Sequence, residues 1–242
     1  MAISNNEIKK VKSLQQKKFR DETGLFIVEG EKMVREAIDS QFKVEKAYYK
    51  SEIGEEGMKR ISALSNPSPA LAVVHKPKDS SLDDASVLAD VIKEGGLFLA
   101  LDTIRDPGNL GTILRIADWF GIKAVFAAKD TVDVFNPKVV QATMGAIFRV
   151  KLHYVDLLEV SDLVLANGGK VYGTFLDGEN MYEKTLDTGK ESPVMIVIGN
   201  ESEGISEAMA AEWVMPEQPR VSTSASSIIP FFTLSVSLQA PC

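Results

Sequence analysis

The sequence predicts an α/β protein in two parts, a small α/β unit followed by a mostly parallel sheet with helices on both faces. Three observations carry this expectation. Continuous apolar runs of strand length, LFLALD (97–102), AVFAA (124–128), KVYGTFL (170–176) and PVMIVIG (193–199), lack polar alternation, as strands buried on both faces do. Segments of helical periodicity alternate with them, at about 109–120, 137–146 and 205–213, which is the pattern of a parallel sheet. The length of 242 residues suits one large domain or two small ones.

Ile8, Val11 and Leu14 recur at helical spacing among lysines, so 6–20 is expected to be one amphipathic helix capped by Asn5 or Asn6. GLFIVEG (24–30) is a strand between glycines, EKMVREAIDS a helix, and VEKAYYK a second strand. Residues 51–65 are helical, the Asn66-Pro67-Ser68-Pro69 cluster breaks them, and LAVVHKP (71–77) is a third strand. Residues 78–96, polar and ending in Gly95-Gly96, are expected to be a linker. The boundary therefore separates 1–94 from 95–242. Residues 214–242 are dense in Ser, Thr and Pro, and the closing strand and long helix expected there are not visible.

Composition excludes several classes of function. Hydrophobic residues make up 45% and charged residues 25%, ordinary globular values, and no run approaches the roughly 20 apolar residues of a membrane helix. No signal peptide or lipid anchor is indicated, so the cytoplasm is expected. A single cysteine, Cys242, and two histidines, His75 and His153, make a metal site a poor expectation. The net charge of −7 argues against a uniformly basic coat, yet residues 1–20 hold six Lys/Arg against one acid. That arm suits contact with a polyanion at one end, or is simply a solvated helix face.

In a doubly wound sheet, ligands bind beyond the carboxyl ends of the strands. The loop after 97–102 runs from Asp102 through Asn109 and Gly111 into a helix carrying Arg115 on an otherwise apolar face, and such an arginine needs an anion. The dinucleotide fingerprint and the phosphate loop are both absent. The loop after 193–199 sets two carboxylates between Gly199 and Gly204. Each loop alone could be an ordinary turn.

Taken in order, DPGNLGTILRIADWFG, FNPKVVQATMGAIFRV, VYGTFLDG and VIGNESEGIS resemble the SpoU-type (TrmH-like) RNA ribose 2′-O-methyltransferases of the SPOUT class. KVKSLQQKKFRDETGLFIVEGEKMVREAI and SPALAVVHKP are similar to that family's N-terminal substrate-binding domain. The resemblance covers about residues 6–213. It implies a SPOUT fold with a trefoil knot, a homodimer, and S-adenosylmethionine held mostly by backbone groups. Thr174, Ile198, Gly199 and Gly204 would be cofactor neighbours, joined by Ile229 and Leu234 of a third motif. That motif persists in fragments, Ile229-Pro230 and Leu234-Ser235-Val236-Ser237, with Ser235 where asparagine is expected. Residues from about 214 read as sequence from a shifted frame or a recombined end.

Asn109 and Arg115 match the first motif and Glu201 the second, and the resemblance makes these three the catalytic set. A ribose hydroxyl is a poor nucleophile, so orientation and stabilisation of developing alkoxide are the expected tasks. Arginine stays protonated, and electrostatic positioning suits Arg115 better than general base catalysis. Paired with Asp118 or Glu201, it would be merely structural. Lys9, Lys10, Lys17, Lys18 and Arg20 are the RNA-binding candidates. Trp119 has the spacing of core or dimer packing. The rival reading is a noncatalytic RNA-binding protein that has lost its cofactor through the altered C-terminus; a nucleotide-using α/β enzyme is a weaker one.

Overall fold

Three short segments, β1 (Leu25–Glu29), β2 (Val44–Tyr49) and β3 (Ala70–His75), pair antiparallel in the order β1-β3-β2. In this computed structural model residues 3–77, 85–175, 179–180, 192–200, 202–212 and 220–222 are described. The sheet belongs to a first unit, made of Met1–Lys78, Asp106–Arg115 and Val132–Arg149; a second is made of Asp79–Arg105, Ile116–Thr131 and Val150–Cys242.

In the first unit, α1 (Asn5–Ser13) and α4 (Lys50–Ile61) cover one face of the sheet, burying Ile8, Val11, Met58 and Ile61 against Ile27 and Val73. The other face packs α3 (Glu31–Asp39) and the helix Pro137–Thr143, α7 in chain order, against β1. Phe26 is fully buried there, with its ring 4.8 Å from Phe135 and edge-on to Phe42 at 6.1 Å. Burying such a side chain stabilises by about 1.5–3 kcal/mol.

The single helix expected over 6–20 is two. Ser4, not Asn5 or Asn6, caps α1 in a reciprocal box with Glu7, and the chain breaks at Leu14–Gln16 before α2 (Lys17–Thr23). Arg20 holds that break. Its Nη1 donates to the carbonyls of Leu14 and Gln15, both at 2.9 Å, and its Nε and Nη2 to Asp133 Oδ2 at 3.2 and 2.7 Å. The guanidinium thereby satisfies carbonyls that a helix end leaves without partners.

In the second unit, β4 (Gly96–Leu101), β5 (Ala124–Ala127), β6 (Leu152–Tyr154), β7 (Lys170–Phe175), β8 (Glu179–Asn180), β9 (Pro193–Ile198) and β10 (Arg220–Ser222) form a sheet in the order β6-β5-β4-β9-β7-β10-β8. All its pairings are parallel. Phe98, Phe126, Val171 and Met195 pack against α5 (Ala85–Lys93) and α8 (Leu157–Ala166). The alternate residues Leu99, Val125 and Ile196 are buried too, so both faces are closed to water and the strands read as unbroken apolar runs.

The linker over 78–96 contains α5, because Leu88 and Ile92 are one turn apart and both buried. The closing strand sought after residue 214 exists as β10, a three-residue strand between β7 and β8, too short, and with valine as its one apolar residue, to show as an apolar run. The strand β6 and helix α8 were not anticipated from the sequence; Asp156 caps α8, and Val160 and Val164 line its buried face.

Candidate active site

Neighbouring strands end side by side at the carboxyl edge of the parallel sheet, where Leu101 of β4 faces Ile198 of β9 and Gly173 of β7 faces Val197. The turn after β9 is closed on itself. Asn200 N–H donates to Gly204 O at 2.8 Å and Gly204 N–H to Asn200 O at 2.9 Å. A Cβ on Gly199 would stand 2.2 Å from the Gly204 carbonyl carbon, so only glycine fits.

Side chains then tie the strand ends together. Asn200, 9% exposed, accepts the N–H groups of Ser202 and Glu203 at 2.9 and 3.2 Å and donates through Nδ2 to Thr103 O at 2.8 Å. Asp102, 5% exposed, accepts the Ser206 N–H at 2.7 Å, and its own N–H donates to Ile198 O at 2.9 Å. The hydroxyl of Thr174 donates to Val197 O at 3.1 Å. Thr103 adopts φ +62°, a conformation costing a β-branched residue about 1–3 kcal/mol. It is held by the Asn200 bond and by Asp130 Oδ2, 3.0 Å from its hydroxyl.

The helix α6 (Pro107–Trp119) starts where this turn ends. Asp106 Oδ1 accepts the Asn109 N–H at 2.8 Å, and Pro107 occupies the first helical position, where its missing N–H costs nothing. Gly111 lets the helix approach α7: a Cβ there would lie 2.3 Å from the Cβ of Ala142. Four residues further on, Arg115 is exposed. Among the described residues it forms no ion pair with a carboxylate, so the structural pairing with Asp118 is not made.

The structure thus brings Thr174, Ile198, Gly199 and Gly204 to one edge of one sheet, and puts Asn109 and Arg115 on one helix. Glu201, Ile229 and Leu234 lie outside the described residues. Asp102, Thr103 and Asn200, which the sequence reading left without roles, are the residues that join the two loops. Their signal was an asparagine inside a glycine-bounded loop and a buried strand running directly into aspartate.

The basic arm needs one correction. Arg20 is 2% exposed and its donors are spent on Leu14, Gln15 and Asp133, so it holds the fold and cannot meet a phosphate. Lys9, Lys10, Lys17 and Lys18 are exposed. Lys10 pairs with Glu45, Lys17 with Asp21 at 2.7 Å and Lys18 with Glu22 at 3.9 Å. The Lys17 and Lys76 ammonium groups hold the Asp21 carboxyl at about 2, below its ordinary 3.8. Trp119, whose spacing suggested core or dimer packing, is 84% exposed and so does not pack in the core of its own chain. Among the described residues no three His, Cys, Asp or Glu side chains gather as a metal site would, and no helix is long and apolar enough to cross a membrane.

A parallel sheet whose adjoining strand ends carry a closed glycine loop, together with a small antiparallel sheet, matches the fold of the SPOUT-class methyltransferases. The family model described as SpoU rRNA Methylase family matches residues 96–223, and the MRM3-like substrate binding domain matches residues 5–76. The chain belongs to the SpoU rRNA methylase family. It is 29% identical to the 23S rRNA (guanosine(2553)-2′-O)-methyltransferase RlmP of Bacillus subtilis, over 86% of this chain and 84% of that protein. Among solved structures, an RNA methyltransferase assigned to the TrmH family from Porphyromonas gingivalis is 33% identical with a TM-score of 0.77, covering 94% of this chain and 91% of the other. The AdoMet-bound rRNA methyltransferase of Sinorhizobium meliloti is 28% identical with a TM-score of 0.71, covering 92% and 86%. Mitochondrial rRNA methyltransferase 3 of Xenopus laevis is longer; the chain spans 36% of it at 32% identity.

Membership makes this an enzyme that takes a methyl group from S-adenosylmethionine and places it on an RNA ribose 2′-hydroxyl. The strand ends fit such a donor: they offer main-chain groups, and the space beside Gly204 where a Cβ would project is open.

Proposed function

We propose that the chain methylates a ribose 2′-hydroxyl of ribosomal RNA, with residues 1–94 binding the RNA and 95–242 performing the transfer. The observation that carries this reading is Arg115: an exposed guanidinium without a described carboxylate, on the helix that continues the β4 turn. The family models matching 5–76 and 96–223 support the division.

In this reading the edge formed by Thr174, Ile198, Gly199 and Gly204 holds the donor through main-chain groups. The ribose oxygen attacks the methyl carbon in line, the carbon–sulfur bond breaks, and the hydroxyl proton passes to solvent. Arg115 lowers the energy of the developing alkoxide and Asn109 orients the ribose or the arginine, with Glu201 acting from the second motif. Orientation and preorganised charge supply most of such an acceleration. Ile229 and Leu234 would complete the donor site. Lys9, Lys10, Lys17 and Lys18 steer the RNA by charge. The enzyme works in the cytoplasm as a homodimer, a state supported by Trp119, whose 84% exposure leaves a large ring in water.

The test is transfer of labelled methyl from S-adenosylmethionine to transcribed ribosomal RNA, followed by alkaline hydrolysis, which a 2′-O-methyl group blocks. Resistant dinucleotides are expected. Label on a base, or RNA binding with no calorimetric heat on adding S-adenosylmethionine, overturns the reading and favours the noncatalytic rival. Changing Trp119→Ser should lower the dimer fraction in sedimentation; an unchanged fraction removes that support.

A further inference from the structure

Arg105 stands between two anchored residues. Before it, Ile104 is 1% exposed and Thr103 is fixed at positive φ by Asn200 and Asp130; after it, Asp106 caps α6. The backbone is therefore rigid while the side chain is 63% exposed. Among the described residues its ion-pair partner is Glu203 Oε1, 3.7 Å away and 66% exposed, in the closed turn after β9. An ion pair of that length in water is weak, and the five N–H donors of the guanidinium remain able to fork onto a phosphate.

The place matters as much as the chemistry. Arg105 reaches across to the turn assigned above to the methyl donor, and the 2′-hydroxyl that accepts the methyl is attached next to the 3′-phosphodiester of the same nucleotide. Residues 97–242 carry all of the chain's net charge of −7, so a polyanion approaching this edge needs a local cation. We propose that Arg105 binds a backbone phosphate at the target nucleotide and that Glu203 is its counter-ion until RNA displaces it. This rests on the function proposed above. A cofactor carboxylate is the competing anion; the high exposure of Arg105 suits a large ligand arriving from solvent.

The experiment compares Arg105→Ala, Arg105→Lys and Glu203→Gln with the unaltered enzyme on transcribed ribosomal RNA, together with equilibrium RNA binding in S-adenosylhomocysteine. Arg105→Ala should raise the KM for RNA about fivefold, leave the KM for S-adenosylmethionine unchanged, and reduce the slope of log affinity against log salt by about one. Arg105→Lys should recover part of the affinity, and Glu203→Gln should tighten RNA binding at low salt. An unchanged RNA KM and salt slope in an otherwise active enzyme overturns the proposal, as does a rise confined to the S-adenosylmethionine KM. If the unaltered enzyme methylates no RNA, the proposed function fails instead.

Discussion

Arg20 and Arg115 each follow an apolar helical pattern, and the structure treats them oppositely. At the corner between α1 and α2, Arg20 is 2% exposed, with four hydrogen bonds to two carbonyls and one carboxylate. On α6, Arg115 is exposed with no described carboxylate partner. What separates them is the supply of oxygen. A broken helix end presents unpaired carbonyls that a guanidinium can serve, whereas Arg115 sits inside a continuous helix whose carbonyls are already bonded. A buried arginine with satisfied donors belongs to the fold, whereas the exposed Arg115 keeps the substrate role proposed for it open to test.

The largest expected effect breaks the first half of this contrast. Arg20→Ala leaves the Asp133 carboxylate and two carbonyls without their donor, and removing one partner of a buried pair typically costs about 3–5 kcal/mol. Urea denaturation should register that loss, with Asp133→Ala similar and the double variant losing less than the sum. A change below about 1 kcal/mol would show the corner to be solvated instead. Arg115→Ala tests the other half: methyl transfer should fall by about a hundred- to a thousandfold, the size seen when one preorganised charge donor is removed. S-adenosylmethionine affinity and stability should stay nearly constant. Equal loss of transfer and cofactor binding would place Arg115 against the donor.

The same contrast explains what the sequence could disclose. Strands β4, β5, β7 and β9 were legible because a sheet buried on both faces needs unbroken apolar runs, and α6 because Leu110, Leu114 and Ala117 repeat at helical spacing. The break at Leu14–Gln16 was not, since it depends on Arg20 and on Asp133, a residue 113 positions away. Strand β10 is fixed by its neighbours β7 and β8 and not by its own residues. The motifs named Asn109, Arg115, Thr174 and Gly199, but Asn200 and Asp102 act through hydrogen bonds spanning about a hundred residues, which no local pattern encodes.

Asn200→Ala gives a smaller effect than either arginine. It removes the bridge to Thr103 O and both acceptor bonds within the turn, at a cost of about 1–3 kcal/mol for the buried groups left unpaired. Because these bonds shape the edge proposed to hold the donor, the KM for S-adenosylmethionine should rise more than kcat falls. Loss of stability with no change in that KM would make Asn200 a scaffold residue alone.

The smallest effect returns to the corner and compares adjacent residues. Asp21, next to Arg20 in sequence, is 46% exposed and bonded to Lys17 and Lys76, both at 2.7 Å. Its carboxyl is held at about 2 in the folded protein against 3.8 ordinarily. A depressed folded value means the contribution to stability is present above about pH 4 and is lost as pH falls toward 2. Screening at this exposure keeps it under about 1 kcal/mol. Asp21→Asn should therefore be slightly less stable than the unaltered protein near pH 6 and equal to it near pH 2, by urea denaturation at low salt. A difference that stays constant across that window would mean the two lysine bonds contribute nothing through charge, leaving the buried Arg20–Asp133 pair as the corner's electrostatic contribution.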